Sequence, residues 1–120
     1  GDPETITRSF CHVSDLMKGI MAAAAYSDGE YDVFNIGNDS EVTLCDLIDT
    51  VNTVDIEASP DVVCQRKPTR THDPKRRCPD LTRARTILDY VPSMTLEEGL
   101  RRMMIWAAAG APVEFESVFL

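Results

Sequence analysis

A run of basic side chains gives this acidic sequence its main candidate for chemistry. The 120 residues hold 12 lysines and arginines against 20 aspartates and glutamates, so the formal net charge is −8. Eight of the twelve basic residues nevertheless lie within 66–85: Arg66, Lys67, Arg70, Lys75, Arg76, Arg77, Arg83 and Arg85. Planar guanidinium groups bind phosphate and carboxylate oxygens through paired hydrogen bonds. From charge alone, this basic segment is either a solvated loop or an anion-binding site.

The composition argues against several other classes of function. An acidic chain is a poor general binder of nucleic acid or of an anionic membrane. The basic segment contains no Phe, Tyr or Trp that could stack on a base. No run of about 18 apolar residues occurs in the sequence, and a bilayer-spanning helix needs such a run. We therefore expect no nucleic-acid partner and no membrane partner.

The cysteines and histidines do not form the pattern of a metal site. They stand at Cys11, Cys45, Cys64, Cys78, His12 and His72, with no CxxC pair among them. Two disulfides are one interpretation of four cysteines, and free thiols in a reducing cytoplasm are the other, which we favour. The first residues also lack the basic and apolar regions of a signal peptide. These features predict a cytoplasmic protein without a metal.

The elements that must position the basic segment alternate between extended segments and helices. Extended segments are predicted at 7–13, 31–36 and 61–66 from their β-branched and aromatic content. Four helices are predicted, at about 14–26 and after Thr43, Asp80 and Thr95, where a capping residue precedes an apolar periodic run. Residues 67–79 contain three prolines and are predicted to be a loop. This order predicts an α/β fold with about four helices and two or three short strands.

Helical spacing also predicts which side chains face the core. Ser14 or Asp15 is the expected N-cap of the first helix, in which Leu16, Ile20, Ala23 and Ala24 lie at helical spacing. The last helix should bury one apolar face, made of Leu96, Leu100, Met103, Met104 and Ala107. Residues 107–120 have no predicted place in the fold beyond the end of that helix.

Five sequence blocks in a fixed order carry a resemblance to a known family. They are TRSFCHVSDL at 7–16, FNIGN at 34–38, VTL at 42–44, DPKRRCPDL at 73–81 and TLEEGL at 95–100. In this order and spacing, the sequence resembles the C-terminal third of extended short-chain dehydrogenases/reductases, the NAD-dependent epimerase/dehydratase family. The DPKRRCPD block is most similar to the UDP-glucuronate decarboxylase branch. The resemblance covers 1–106 and implies that 1–120 forms a single substrate-binding lobe.

The resemblance also implies what this chain lacks. In the family, an N-terminal Rossmann domain carries a glycine-rich turn that binds NAD and a catalytic Tyr-x-x-x-Lys pair. Neither GxxGxxG nor Tyr-x-x-x-Lys occurs in this sequence. We therefore expect no catalytic residue and no cofactor in this chain, with NAD belonging to the parent family. The sequence is expected to be a fragment of such an enzyme, one piece of a split protein, or a relic that binds without catalysing.

The predicted site residues follow from the same resemblance. The family places one arginine on the short strand before the first helix of this region and another in the proline-rich loop. Arg8 matches the first position and Arg77 the second, while Arg76 and Arg70 are neighbours able to assist. These four are the predicted substrate-binding residues for the pyrophosphate of a nucleotide-diphosphate sugar. For Arg8, the alternative is an ion pair with Asp15 or another acidic residue of the acidic half of the chain, 1–65.

Two interpretations of the function stay open at this point. The chain is the nucleotide-sugar-binding portion of an NAD-dependent epimerase, dehydratase or decarboxylase, inactive by itself. Alternatively, it is a stand-alone, non-catalytic binding or interaction module for a nucleotide sugar or another phosphorylated ligand. A lobe without its Rossmann domain leaves apolar surface uncovered. The expected protein partner is therefore that missing domain, a second chain or another copy of this chain.

Overall fold

The computed structural model describes residues 4–27, 32–54 and 72–110. Its elements, in chain order, are β1 (Thr7–Ser9), α1 (Val13–Ala25), β2 (Glu41–Thr43), α2 (Leu44–Val54), β3 (Arg76–Arg77), α3 (Thr82–Leu88) and α4 (Leu96–Ala108). Four helices and three short strands within these ranges confirm the predicted α/β class. The extended segment predicted at 61–66, and Arg70 of the predicted site, lie outside the described residues.

The three strands form one small sheet in the order β2-β1-β3. β1 runs antiparallel to β2, with Thr7 opposite Thr43 and Ser9 opposite Glu41. β1 runs parallel to β3, with Thr7 opposite Arg76. The proline-rich loop predicted at 67–79 therefore contributes a strand. Its two residues satisfy the ladder of β1, and a pairing across nearly 70 residues leaves no local pattern to detect.

Local side-chain caps fix the starts of α2 and α4, as the sequence predicts. The Thr43 hydroxyl accepts a hydrogen bond from the Asp46 backbone N–H at 3.0 Å, and the Asp46 carboxylate accepts from the Thr43 N–H at 3.0 Å. The Thr95 hydroxyl accepts from the Glu98 N–H at 3.2 Å. Each contact satisfies a backbone donor that the first turn of a helix leaves free.

The predicted cap of α1 is wrong. His12 is the N-cap, and its ring Nδ1 accepts from the Ser14 backbone N–H at 3.2 Å. Asp15 instead points into the protein, where its side chain is completely buried. Gly19, one turn further, packs closely against Ile36. The buried face of α1 is therefore centred on Asp15 and Gly19.

The apolar residues at helical spacing in α1 do not all lie on its buried side. Leu16 and Ile20 are exposed, together with Val13 and Met21. They lie opposite the face that holds Asp15 and Gly19 in a helix of 3.6 residues per turn. A helix that is apolar on both sides gives no unique periodic signal, so spacing alone could not select the buried face.

The extended segment predicted at 31–36 does not form a strand in its described part, 32–36. Its position is nevertheless fixed from both sides. The Asn35 amide donates to the Asp80 backbone oxygen at 3.1 Å, and Ile36 packs on the buried cluster of Leu81, Ala84 and Tyr90. The Tyr90 hydroxyl donates to the Gly37 oxygen at 2.7 Å. Asn35 thus has a structural role, since its amide joins this segment to the residue that precedes α3.

α4 fits its predicted face only in part. Leu96, Leu100 and Met104 are half-buried, whereas Met103 and Ala107 are exposed, contrary to expectation. Within the described ranges, no helix is long and apolar enough to cross a membrane.

Candidate anion-binding site

The sheet register places two of the predicted arginines side by side. Arg8 lies at the centre of β1, opposite Arg77 on the parallel strand β3. Neighbouring strands are about 4.8 Å apart, and directly paired residues project on the same face. Val42 of β2 completes this row. We call the surface formed by Arg8, Val42 and Arg77 the arginine face.

Arg8 is held in place by the turn that precedes β3. Its Nη1 donates to the backbone oxygens of Thr7 at 2.8 Å and Lys75 at 3.3 Å. Its Nη2 donates to the Asp73 carboxylate at 2.7 Å, and the Arg8 side chain is only 19% exposed. Arg8 therefore does form an ion pair, but its partner is Asp73 and not an acidic residue of 1–65. Asp15, the other candidate, lies against Ser93 and Met94 instead.

Arg77 differs from Arg8 in having no such partner. Its backbone oxygen lies 3.5 Å from the Ser9 hydroxyl, but its guanidinium makes no hydrogen bond or ion pair with the residues that the structure describes. The residue is exposed. Two neighbouring guanidinium groups, one exposed and one fixed, can donate hydrogen bonds to two oxygens of the same anion.

Arg76 belongs to the opposite face of the sheet. Its Nε donates to Glu41 Oε1 at 3.0 Å and to Oε2 at 2.9 Å, and its Nη2 donates to Oε2 at 2.6 Å. The Thr7 hydroxyl donates to the same carboxylate at 2.7 Å. The hydrogen bonds from Arg76 and Thr7 lower the pKa of Glu41. Arg76 is therefore neutralised, and the structure does not bring it together with Arg8 and Arg77.

The sequence did not predict that Asp73 and Glu41 are the acidic partners of these arginines. Asp73 and Glu41 lie 65 and 35 residues from the arginines they bind, so local spacing carries no signal for either pair. Arg85 is likewise held by both oxygens of Asp39, at 2.6 Å and 2.9 Å. Arg76, Arg83 and Arg85 are consequently paired, whereas the side chains of Lys75 and Arg77 have no partner among the described residues.

No cluster of potential metal ligands occurs among 4–27, 32–54 and 72–110. Cys11 and Cys78 are free thiols, and Cys64 lies outside the described residues. Burial raises the pKa of the Cys11 thiol, which keeps it protonated at neutral pH. The Cys11 thiol is therefore not an activated nucleophile.

A surface cavity of about 350 Å³ adjoins the arginine face, since Val42 lines both. Its lining includes Phe10, Asn38, Asp39, Arg85, Ser93 and Thr95. The only guanidinium in its wall is that of Arg85, which Asp39 already neutralises. The cavity therefore offers weaker electrostatic attraction to a phosphate than the arginine face does.

Comparison with known proteins identifies the family to which this chain is homologous. No family model matches the chain. The sequence is 37% identical over 101 residues to UDP-glucuronic acid decarboxylase 6 of Arabidopsis thaliana, and 31% identical over 96 residues to UDP-glucuronic acid decarboxylase 1 of Danio rerio. These alignments cover 84% and 80% of this chain. The chain is homologous to a C-terminal portion of the extended short-chain dehydrogenases/reductases.

Solved structures of the family agree with this assignment. UDP-glucuronic acid 4-epimerase from Bacillus cereus, in complex with UDP-glucuronic acid and NAD, superimposes with a TM-score of 0.74 at 25% identity over 92% of this chain. UDP-glucose 4-epimerase from Thermotoga maritima, with UDP-glucose, gives a TM-score of 0.76 at 27% identity over 92% of this chain. The chain spans 28% of the Arabidopsis relative and 34% of each of these two structures.

Proposed function

We propose that this chain is the nucleotide-sugar-binding portion of an NAD-dependent enzyme that acts on UDP-sugars. The observation that carries the proposal is the pairing of Arg8 and Arg77 on one face of the sheet, with Arg77 free of a described partner. Two guanidinium groups match the roughly two negative charges of a pyrophosphate. The relatives are named as decarboxylases and epimerases of UDP-sugars. Among these reactions we favour the decarboxylase, a lyase, because of the DPKRRCPD block.

Arg8 and Arg77 have distinct roles in this proposal. Arg8 is fixed by backbone oxygens and forms the rigid part of the anion site. Arg77 is exposed and closes on the second phosphate. Arg76 acts indirectly, since its pairing with Glu41 holds β3 beside β1. Arg70 stays a predicted contact beyond the described residues.

The rest of the enzyme is the proposed protein partner. One side of α1 exposes Val13, Leu16, Ile20 and Met21, and an apolar stripe of this kind is buried in a stable assembly. We propose that it packs on the Rossmann domain that carries NAD in the family, supplied by the same polypeptide or a second chain. The catalytic groups then come from that domain, and this portion by itself is inactive. The free thiols suit a cytoplasmic location.

The alternative is a binding module that acts without catalysis. What favours it is that the sequence given contains neither the glycine-rich turn nor the Tyr-x-x-x-Lys pair. The two functions make the same prediction for ligand binding and differ in what a Rossmann partner adds. Addition of the matching N-terminal part of a relative should restore turnover of UDP-glucuronate only in the first case.

Calorimetric titration tests the anion site directly. UDP, UDP-glucuronate and dTDP-glucose are titrated into the wild-type chain, Arg77→Ala and the matched control Arg102→Ala, whose guanidinium pairs with Glu98 on α4. Loss of one charge-assisted contact should weaken UDP binding by about 10- to 100-fold in Arg77→Ala. Arg102→Ala should bind as the wild type does. Equal affinity of all three proteins for UDP would refute the arginine face as the phosphate site.

A further inference from the structure

The backbone of Lys75 lies against the guanidinium of Arg8. The Lys75 oxygen accepts hydrogen bonds from the Thr7 backbone N–H at 2.9 Å and from Arg8 Nη1 at 3.3 Å. Standard backbone bond lengths then place the Lys75 Cα within about 6 Å of that guanidinium nitrogen. β1 thus fixes the position of Lys75 at the edge of the arginine face.

The side chain of Lys75, unlike its backbone, has no contact of this kind. It makes no hydrogen bond or ion pair within 4–27, 32–54 and 72–110, and the residue is exposed. A lysine carries a compact ammonium group on a flexible four-carbon stem. A side chain of that length, attached beside Arg8, can bring its charge to an anion that Arg8 and Arg77 hold.

The charges around Arg8 indicate what Lys75 adds to the arginine face. The Asp73 carboxylate lies 2.7 Å from Arg8 Nη2, so it offsets the charge of this guanidinium. Arg77 then supplies one positive charge that no described acidic residue offsets, and Lys75 supplies a second. The pyrophosphate of a nucleotide sugar carries about two negative charges, one on each phosphate. Lys75 and Arg77 together match that charge.

We infer that Lys75 is a further phosphate-binding residue, and that its ammonium group compensates for the charge that Asp73 offsets at Arg8. The inference rests on the proposed function, because it takes a nucleotide diphosphate as the ligand of the arginine face. Lys75 differs in this respect from its neighbour Arg76, which Glu41 neutralises on the other face of the sheet.

Calorimetric titration with UDP at low salt tests this role. Lys75→Met keeps an unbranched stem and removes the charge, whereas Lys75→Arg keeps the charge. Arg102→Met is the matched control, because Arg102 is exposed on α4 and pairs there with Glu98. Lys75→Met should bind UDP about fivefold more weakly, as expected for one exposed charge pair. Lys75→Arg and Arg102→Met should bind UDP within about twofold of the wild type.

The variant Asp73→Asn provides a second measurement, because it removes the carboxylate that offsets Arg8. In that background, the change Lys75→Met should weaken UDP binding by less than about twofold, since Arg8 then supplies the charge. A lysine that acts only through the general potential of the surface would instead lose the same factor in both backgrounds.

Three results would overturn the inference: unchanged UDP affinity in Lys75→Met, equal losses in Lys75→Met and Lys75→Arg, or equal losses with and without Asp73. The proposed function would survive each of them, provided that Arg77→Ala weakens UDP binding. A wild-type chain that binds no UDP would refute the proposed function and the inference with it. Thermal unfolding followed by circular dichroism checks that each variant is folded.

Discussion

Replacement of Asp15 with alanine removes the carboxylate that joins α1 to the segment before α4. Asp15 is fully buried, and its Oδ2 accepts from the backbone N–H groups of Ser93 at 3.0 Å and Met94 at 2.7 Å. Its Oδ1 accepts from the Ser93 hydroxyl at 3.1 Å. Lys18 lies 3.5 Å away and is largely exposed, so its contribution is screened by water.

The expected cost follows from these contacts. Each hydrogen bond to a charged acceptor contributes about 1.5–3 kcal/mol, and a buried donor left without a partner costs about 1–3 kcal/mol. Asp15→Ala leaves the Ser93 and Met94 donors without their acceptor. We expect a loss of about 3 kcal/mol in the free energy of unfolding, a large part of the 5–15 kcal/mol typical of a domain. The melting temperature should fall by roughly 10 °C or more.

The same carboxylate makes stability depend on pH. Burial by itself would raise the pKa of Asp15, but the hydrogen bonds from Met94 and Ser93 outweigh it and hold this pKa below its usual value. A group whose pKa is lower in the folded state stabilises the fold above its unfolded pKa, near 3.9. That contribution is lost as the pH falls through the folded pKa. Wild-type stability should therefore decline more steeply below about pH 4 than the stability of Asp15→Ala.

Urea denaturation at several pH values measures both effects. Asp49→Ala is the matched control, because it removes an exposed aspartate from α2 and should change the free energy of unfolding by less than about 0.5 kcal/mol. Asp15→Asn, with nearly the same volume, tests whether the charge matters. The argument is refuted if Asp15→Ala loses less than about 1 kcal/mol or keeps the acid sensitivity of the wild type.

Two further predictions concern the site and the core. Asp73→Asn should strengthen UDP binding by about two- to fivefold in a calorimetric titration at low salt, because it removes the anion that competes for Arg8; a weaker affinity would show that Asp73 only orients Arg8. Gly19→Ala should lower the free energy of unfolding by about 1–3 kcal/mol, because its Cβ would collide with Ile36. Gly99→Ala, whose Cβ would meet its nearest side-chain atom at 3.4 Å, is the control. Equal melting temperatures for the two glycine variants would contradict the close packing at position 19.

The features that the sequence predicted correctly depend on residues close together in the chain. Thr43 and Thr95 were identified as caps because a threonine followed three residues later by an acid is a local signal. The features that it did not predict depend on distant partners. β3 exists because Thr7 donates its N–H to the Lys75 oxygen at 2.9 Å. The buried side of α1 depends in the same way on Asp15, which binds donors 78 and 79 residues away.

In the candidate site, too, the sequence predicted some features and not those that depend on distant partners. The residues Arg8 and Arg77 were named from a resemblance in short blocks, and their pairing across β1 and β3 supports treating them as one site. Arg76, grouped with them on sequence proximity, lies on the other face. Successive side chains of a strand project on opposite faces of the sheet. Because Arg76 and Arg77 are consecutive, their side chains lie on different faces.

The register of β1 against β3 therefore determines which arginine can bind an anion together with Arg8. A slip of one residue would bring Arg76 beside Arg8 and turn Arg77 toward the opposite face. Glu41 opposes that slip, since its carboxylate binds Arg76 with both oxygens and also accepts from Thr7. An acidic residue on the far side of the sheet thus keeps one arginine neutralised and leaves its neighbour available to a ligand. Removal of Glu41 would accordingly alter the arginine face through the register, although Glu41 itself does not lie on that face.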